Sequence, residues 1–154
     1  MDQLNQNSSF PSYHTHNGAD GTPQLDESTS IKNTRRYVIL PIVPSTNSNT
    51  VTSTIGGDFV MPFDGYVTEV GATVDTAGVT GTMQIDINKN GTSILTTKIT
   101  IDSTKKTSRT ATTPAVIDTS MKGFSVGDIF TFDVDTIQTT PAKGLKVFIN
   151  CIKT

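Results

Sequence analysis

The chain has 154 residues, 17% of them charged, with a formal net charge of −2. That length allows one domain with a real core plus an appendage, and the charge balance argues against nucleic acid or an anionic membrane as partner, because such surfaces carry a basic excess. No apolar run reaches the roughly 18 residues of a membrane span, and 28 threonines, 12 glycines and 7 prolines with no tryptophan point to an all-β chain with many turns.

In chain order, residues 1–34 come first. Met1–Phe10 shows no basic region followed by an apolar core, so no secretory signal is read there. The large apolar side chains of this stretch (Met1, Leu4, Phe10, Tyr13, Leu25 and Ile31) are widely spaced and follow neither strand nor helix period. The segment reads as an extended arm without a core of its own, ordered by a partner. Asn17-Gly18 and Asp20-Gly21 are turn dipeptides that bend it before Pro23. His14 and His16, both histidines of the chain, stand at i and i+2, which in an extended chain puts both imidazoles on one side. Two nitrogens are too few to close a site for a transition metal. Three chains meeting would supply about six, an octahedral set.

From residue 35 the pattern becomes that of a domain. "RRYVILPIV" is apolar on both strand faces, and a Ser/Thr/Asn loop follows it. "TIGGDFVMPFDG" predicts a short strand, with Gly56-Gly57 as a bulge or turn. "GYVTEVGATVDT" alternates, with Tyr66, Val70, Ala72 and Val74 expected on one face. In "TMQIDINKNGTSILTTKITI", Met83, Ile85 and Ile87 alternate with Gln84, Asp86 and Asn88. Asn90-Gly91 signals a tight hairpin, after which Leu95, Thr97, Ile99 and Ile101 are expected to face inward. "STKKTSRTATT" reads as a polar loop or edge strand and "PAVIDTS" as a short element. "FSVGDIFTFDVDTI" predicts a turn at Gly127-Asp128, then Phe130, Phe132 and Val134 inward against Asp133 and Asp135. "GLKVFINCIK" places Leu145, Val147, Ile149 and Cys151 on one face. The expected fold is an all-β, antiparallel two-sheet sandwich, jelly-roll-like, with about eight strands. The expected domains are the arm, 1–34, and the sandwich head, 35–154.

Antiparallel sandwich strands normally wet one face. Val38, Leu40 and Ile42 in the first strand, and Phe148 and Ile152 in the last, are apolar on that face. Either a neighbouring subunit covers this sheet, the reading preferred here, or the arm folds back over it.

No catalytic pattern stands out: there is no G-x-S-x-G, no phosphate-binding loop and no paired acids of the glycosidase kind. Cys151 falls on an inward position, where a buried small hydrophobe is expected rather than a nucleophile. As the single cysteine it forms no intrachain disulfide, in keeping with assembly in a cytosol. Asp86, Asp133 and Asp135 invite a calcium reading, but lack the loop that supplies six to eight oxygens. Lys105, Lys106 and Arg109 form a basic cluster without aromatics to stack bases.

The arm "YHTHNGADGTPQLD" resembles a recurring segment of tailed-bacteriophage virion proteins, in which His-x-His is paired with Asn-Gly, an Asp and a following Pro. The stretches "GYVTEVGATVDTAGVTGTMQIDINKNGTSIL", "GFSVGDIFTFDVD" and "GLKVFI" resemble the small β-sandwich tips that accompany it. The resemblance implies a non-enzymatic homotrimer located in the virion, made in the bacterial host cytoplasm. Its partners would be other virion proteins and host surface glycans, with no nucleic acid and no membrane insertion. It implies that Tyr13, Asn17, Asp20, Pro23 and Leu25 belong to a docking arm. It also implies that His14 and His16 of three chains would enclose one divalent transition metal per trimer, or that no cofactor is present. One His-x-His instead of several, and no long fibrous repeat, suit a short fibre, spike or decoration protein. The alternative is a trimeric jelly-roll module that binds carbohydrate or belongs to a bacterial surface or spore coat.

Overall fold

The structure is a computed structural model that describes residues 50–53 and 56–154. It is all-β, with antiparallel sheets layered as a sandwich. The strands are β1 (Gly56–Val60), β2 (Gly65–Thr73), β3 (Met83–Lys89), β4 (Thr92–Ser93), β5 (Leu95–Thr97), β6 (Ile99–Ile101), β7 (Val116–Ile117), β8 (Gly123–Phe124), β9 (Ile129–Thr136) and β10 (Lys146–Lys153). A single 3₁₀ turn, Ser108–Thr110, lies between β6 and β7. One sheet runs β1-β9-β3, with both β4 and β6 on the far side of β3; a second runs β10-β2-β8; β5 and β7 form a small ladder. "GG" is neither bulge nor turn: Gly56 and Gly57 sit in β1, opposite Asp133 and Phe132 in unbroken register.

The core lies between the two larger sheets. Met83, Ile85 and Ile87 of β3, Phe130, Phe132 and Val134 of β9, and Val147, Ile149 and Cys151 of β10 are all buried, as their period-2 spacing predicts. The Phe124 ring of β8 meets that of Phe130 edge-on, with centroids 5.8 Å apart. Phe59, the register partner of Phe130 on the neighbouring strand, stacks on it at 5.5 Å. The Phe124–Phe130 contact thus joins the two larger sheets.

Two strands depart from simple alternation, and in each an extra residue is the cause. β2 pairs with β10 through Asn150↔Glu69 and then Cys151↔Val67, so Thr68 is left over as a bulge. A bulge shifts side-chain parity by one. Val67 is therefore the inward residue before it, and Ala72 and Val74 are inward after it. Tyr66, expected to share their face, is turned outward and half-exposed, with the Lys122 ammonium 5.8 Å from its ring centroid. In the β3–β9 pair, Gln84↔Thr136 gives way to Ile85↔Val134, and Asp135 is the residue left over.

The hairpin at Asn90-Gly91 forms as expected. Both residues have positive φ, +51° and +83°, as a type I′ turn demands, and Asn88↔Ser93 and Lys89↔Thr92 close it. Its return limb is not one strand. It leaves β3 after Ser93, pairs with β7 as β5, and rejoins β3 as β6. Ile94, at the departure point, is fully buried, while Leu95 and Thr97 are only half-buried. This division adds two strands, and Gly123–Phe124 pairs with β2 as a further short one, so the described residues hold ten strands, although the expected first strand, within residues 35–43, lies outside them.

Candidate surface sites

The first site is a polar groove on the outer face of β3 and β6. Antiparallel register puts Gln84 opposite Thr100, and the chain from Thr112 to Thr113 is held over them. Thr100 Oγ1 donates to the Thr113 carbonyl at 2.8 Å. Asp102 accepts from the Thr112 amide at 2.8 Å and from its hydroxyl at 2.9 Å. These bonds, the backbone amide first, hold the Asp102 carboxyl below its ordinary pKa. The space enclosed is about 420 Å³, and Thr82, Thr97 and Lys98 complete its lining. Hydroxyls and an amide dominate this surface, so it offers hydrogen bonds to polar groups.

Lys98 ends the groove and gathers two carboxylates. Its Nζ lies 2.9 Å from Asp135 and 3.5 Å from Asp86. The Asp135 hydrogen bond is the main reason its pKa is raised, offset in part by desolvation. Asp86 is buried, yet its Oδ1 accepts from Ser93 Oγ at 2.7 Å and from the Ile87 amide at 2.8 Å. Asp133, directly across from Asp86, accepts from Asn88 Nδ2 at 2.9 Å. The three aspartates of the calcium reading are thus engaged by a lysine, a serine and an asparagine. Among the described residues no three His, Cys, Asp or Glu side chains are grouped to hold a metal ion.

A second, shallower hollow of about 250 Å³ opens beside the Thr68 bulge, lined by Tyr66, Thr68, Ile117, Thr119 and Lys122. A third feature is apolar. Val60, Val126 and Ile129 are 59%, 62% and 45% exposed and lie together at one end of the sandwich. Val60 and Ile129 are register partners, and Val126 rides on the turn whose Gly127 amide donates to the Met61 carbonyl at 2.9 Å.

His14, His16, Tyr13, Asn17, Asp20, Pro23 and Leu25 lie outside the described residues, as do Val38, Leu40 and Ile42. Phe148 and Ile152 are on the face of β10 away from the core, and both are half-buried. The Phe148 ring lies across Gly71, where any Cβ would collide with it. The Arg109 guanidinium sits 5.6 Å from its centroid and pairs with Glu69 at 2.8 Å. Arg109, read in the sequence only as part of a basic cluster, therefore covers an outward aromatic. Cys151 is fully buried, and desolvation pushes its thiol up to about 11. The chain matches no protein-family model, no curated protein and no solved structure.

Proposed function

We propose that the chain is a non-enzymatic structural protein of a tailed-bacteriophage virion, a short fibre, spike or decoration. It forms a homotrimer, docks on the particle through residues 1–34, and displays the sandwich outward for attachment to the host surface. The observation that carries this reading is the pairing of two unlike parts. A core-poor arm with the phage-like "YHTHNGADGTPQLD" precedes a β-sandwich with one continuous core of its own. In this reading Val38, Leu40, Ile42, Phe148 and Ile152 lie at contacts between copies, and His14 and His16 bind one divalent transition metal where three arms meet.

Native mass spectrometry of the full chain, with elemental analysis, tests this. The expected result is a trimer with one metal ion, and His14→Ala/His16→Ala losing the metal. A monomer throughout the micromolar range overturns the trimer, and a metal-free trimer overturns the metal. Immunogold labelling of purified virions decides the location; absence of label there overturns the virion assignment.

The second reading, a carbohydrate-binding or bacterial surface or spore-coat module, is favoured by the hydroxyl-lined groove at Gln84, Thr97 and Thr100. It predicts signal on a glycan array that Gln84→Ala abolishes, from a protein that need not self-associate.

A further inference from the structure

The Thr68 bulge turns Tyr66 out of the core, and bulges that re-aim a side chain recur beside functional sites. The register partners of Tyr66 are Ile152 on one side and Gly123 on the other. Gly123 brings no side chain, and the space above it is open, since a Cβ there would meet nothing within 4 Å. The Tyr66 ring is therefore left uncovered on its β8 flank, beside the hollow of about 250 Å³. Sites for drug-sized ligands begin at roughly 300 Å³, so this one has room for a single ring and not for a chain.

The lining divides by chemistry. Tyr66 and Ile117 give it an apolar side. Thr119 adds a hydroxyl that has no partner among the described residues. The turn that carries Thr119 is pinned: Asp118 Oδ1 accepts from the Ser120 amide at 2.8 Å and from its hydroxyl at 2.6 Å, and the Met121 amide donates to the Asp118 carbonyl at 3.0 Å. Thr68 Oγ1 donates to the Asn150 carbonyl at 3.0 Å, which leaves it only lone pairs to offer a ligand. Of the described residues lining the hollow, Lys122 alone is charged. Its Nζ lies 5.8 Å from the Tyr66 ring centroid, and among the described residues no carboxylate pairs with it.

We propose that this hollow binds one sugar ring of an acid-bearing glycan. The apolar face of the pyranose lies on Tyr66 and Ile117, its hydroxyls bond to Thr119 and Thr68, and its acid group meets the Lys122 ammonium. A sugar ring, with C–H groups on its face and hydroxyls at its rim, matches a wall that is aromatic in part and polar at its edge, and the unpaired cation selects an anion. The Gln84 groove offers neither feature: no aromatic side chain lines it, and its Lys98 is already engaged by two aspartates. In a head displayed for host attachment, the reading on which this rests, the source of such a ligand is a polysaccharide of the host surface.

A glycan array carrying neutral, carboxylated, sulfated and phosphorylated saccharides, probed with the full chain, tests it. The expected result is signal on acid-bearing glycans that falls as salt rises, and the acid group giving the strongest signal identifies the source. Tyr66→Ala should lower that signal by about tenfold, and Tyr66→Phe should keep it. Lys122→Gln should erase the preference for acid-bearing glycans over their neutral counterparts, and Gln84→Ala should change nothing. A Cys151 thiol that stays unreactive at pH 8 in each variant shows that lost signal is not lost fold. No signal on any glycan, signal confined to neutral glycans, or signal that survives Tyr66→Ala overturns the proposal. Signal abolished by Gln84→Ala also overturns it, because binding then lies in the groove. Labelling of virions decides the virion assignment separately, so that assignment can fail while Tyr66-dependent binding stands, and the reverse.

Discussion

Asn90 joins two turns with one side chain. Its Oδ1 accepts from the Ile129 amide at 2.9 Å, its Nδ2 donates to Asp128 at 2.8 Å, and its backbone holds the positive φ of the hairpin. Removing the amide loses two hydrogen bonds, and alanine is strained at that φ. Asn90→Ala should therefore lower unfolding free energy by about 2 kcal/mol, read as a shift in urea midpoint, with Lys105→Ala within about 0.5 kcal/mol of the parent. Asp128 responds to pH. The Ser125 amide first, then Asn90, hold its carboxyl below the ordinary value. Its contribution is present above the unfolded pKa and is lost as pH falls through the folded one, so Asp128→Asn should differ from the parent at neutral pH and converge with it in acid. Cys151 has the opposite sign. Its thiol is raised to about 11, so its contribution to stability is complete below the unfolded thiol pKa and declines as pH rises from there towards about 11. At pH 8 the folded protein should not react with a thiol reagent, and labelling should follow the urea transition. Prompt labelling without denaturant would show that Cys151 is accessible.

At the scale of elements, the two bulges decide which side chains face the core and which face the groove. Asp135 is the surplus residue of β9, and that places its carboxylate where Lys98 reaches both it and Asp86. Lys98 thereby links the β5–β6 junction to the two central strands. Lys98→Met keeps the stem and removes the charge. It should lower stability by about 1 kcal/mol at pH 7, since each partly exposed pair is worth a few tenths to one. The difference should vanish in acid, where the carboxylates are protonated, and also above the raised pKa of the lysine. A difference constant across the whole range would mean that the stem, and not the charge, matters. These elements also show what the sequence can disclose. The Asn-Gly turn and the alternation of β10 are local signals, and both are legible. The Thr68 bulge is not, because nothing in "GYVTEV" marks a surplus residue and only pairing with β10 creates one. Ile94 gives way to Leu95 in the expected pattern because an unbroken return strand is the simplest reading of "TSILTTKITI", and the diversion to β7 depends on residues about twenty positions away. The groove is equally hidden. Its threonines come from four separate stretches and are a handful of the 28 in the chain, so composition does not single them out.

For the whole molecule, the question is how far the head depends on assembly. Core residues from both larger sheets form one cluster, with Phe130, Phe132, Ile85, Ile87 and Ile149 fully buried. A cluster of that size supports cooperative unfolding by itself, and Phe132→Ala in its centre should cost about 3–5 kcal/mol. Trimer formation through the arm would add a term of a different kind, because association stabilises by mass action and so depends on protein concentration. The two contributions can be separated by urea unfolding of the full chain over a hundredfold range of concentration. The parent should show a midpoint that rises with concentration. His14→Ala/His16→Ala, or a chelator added to the parent, should flatten that dependence and leave a residual transition in which Cys151 still becomes reactive only on unfolding. If the double variant instead exposes Cys151 without denaturant, the sandwich is not stable apart from the assembly and the division of labour between arm and head fails. If the parent shows no concentration dependence while remaining a trimer, the copies are held by contacts that outlast unfolding conditions, and the histidines are not what joins them.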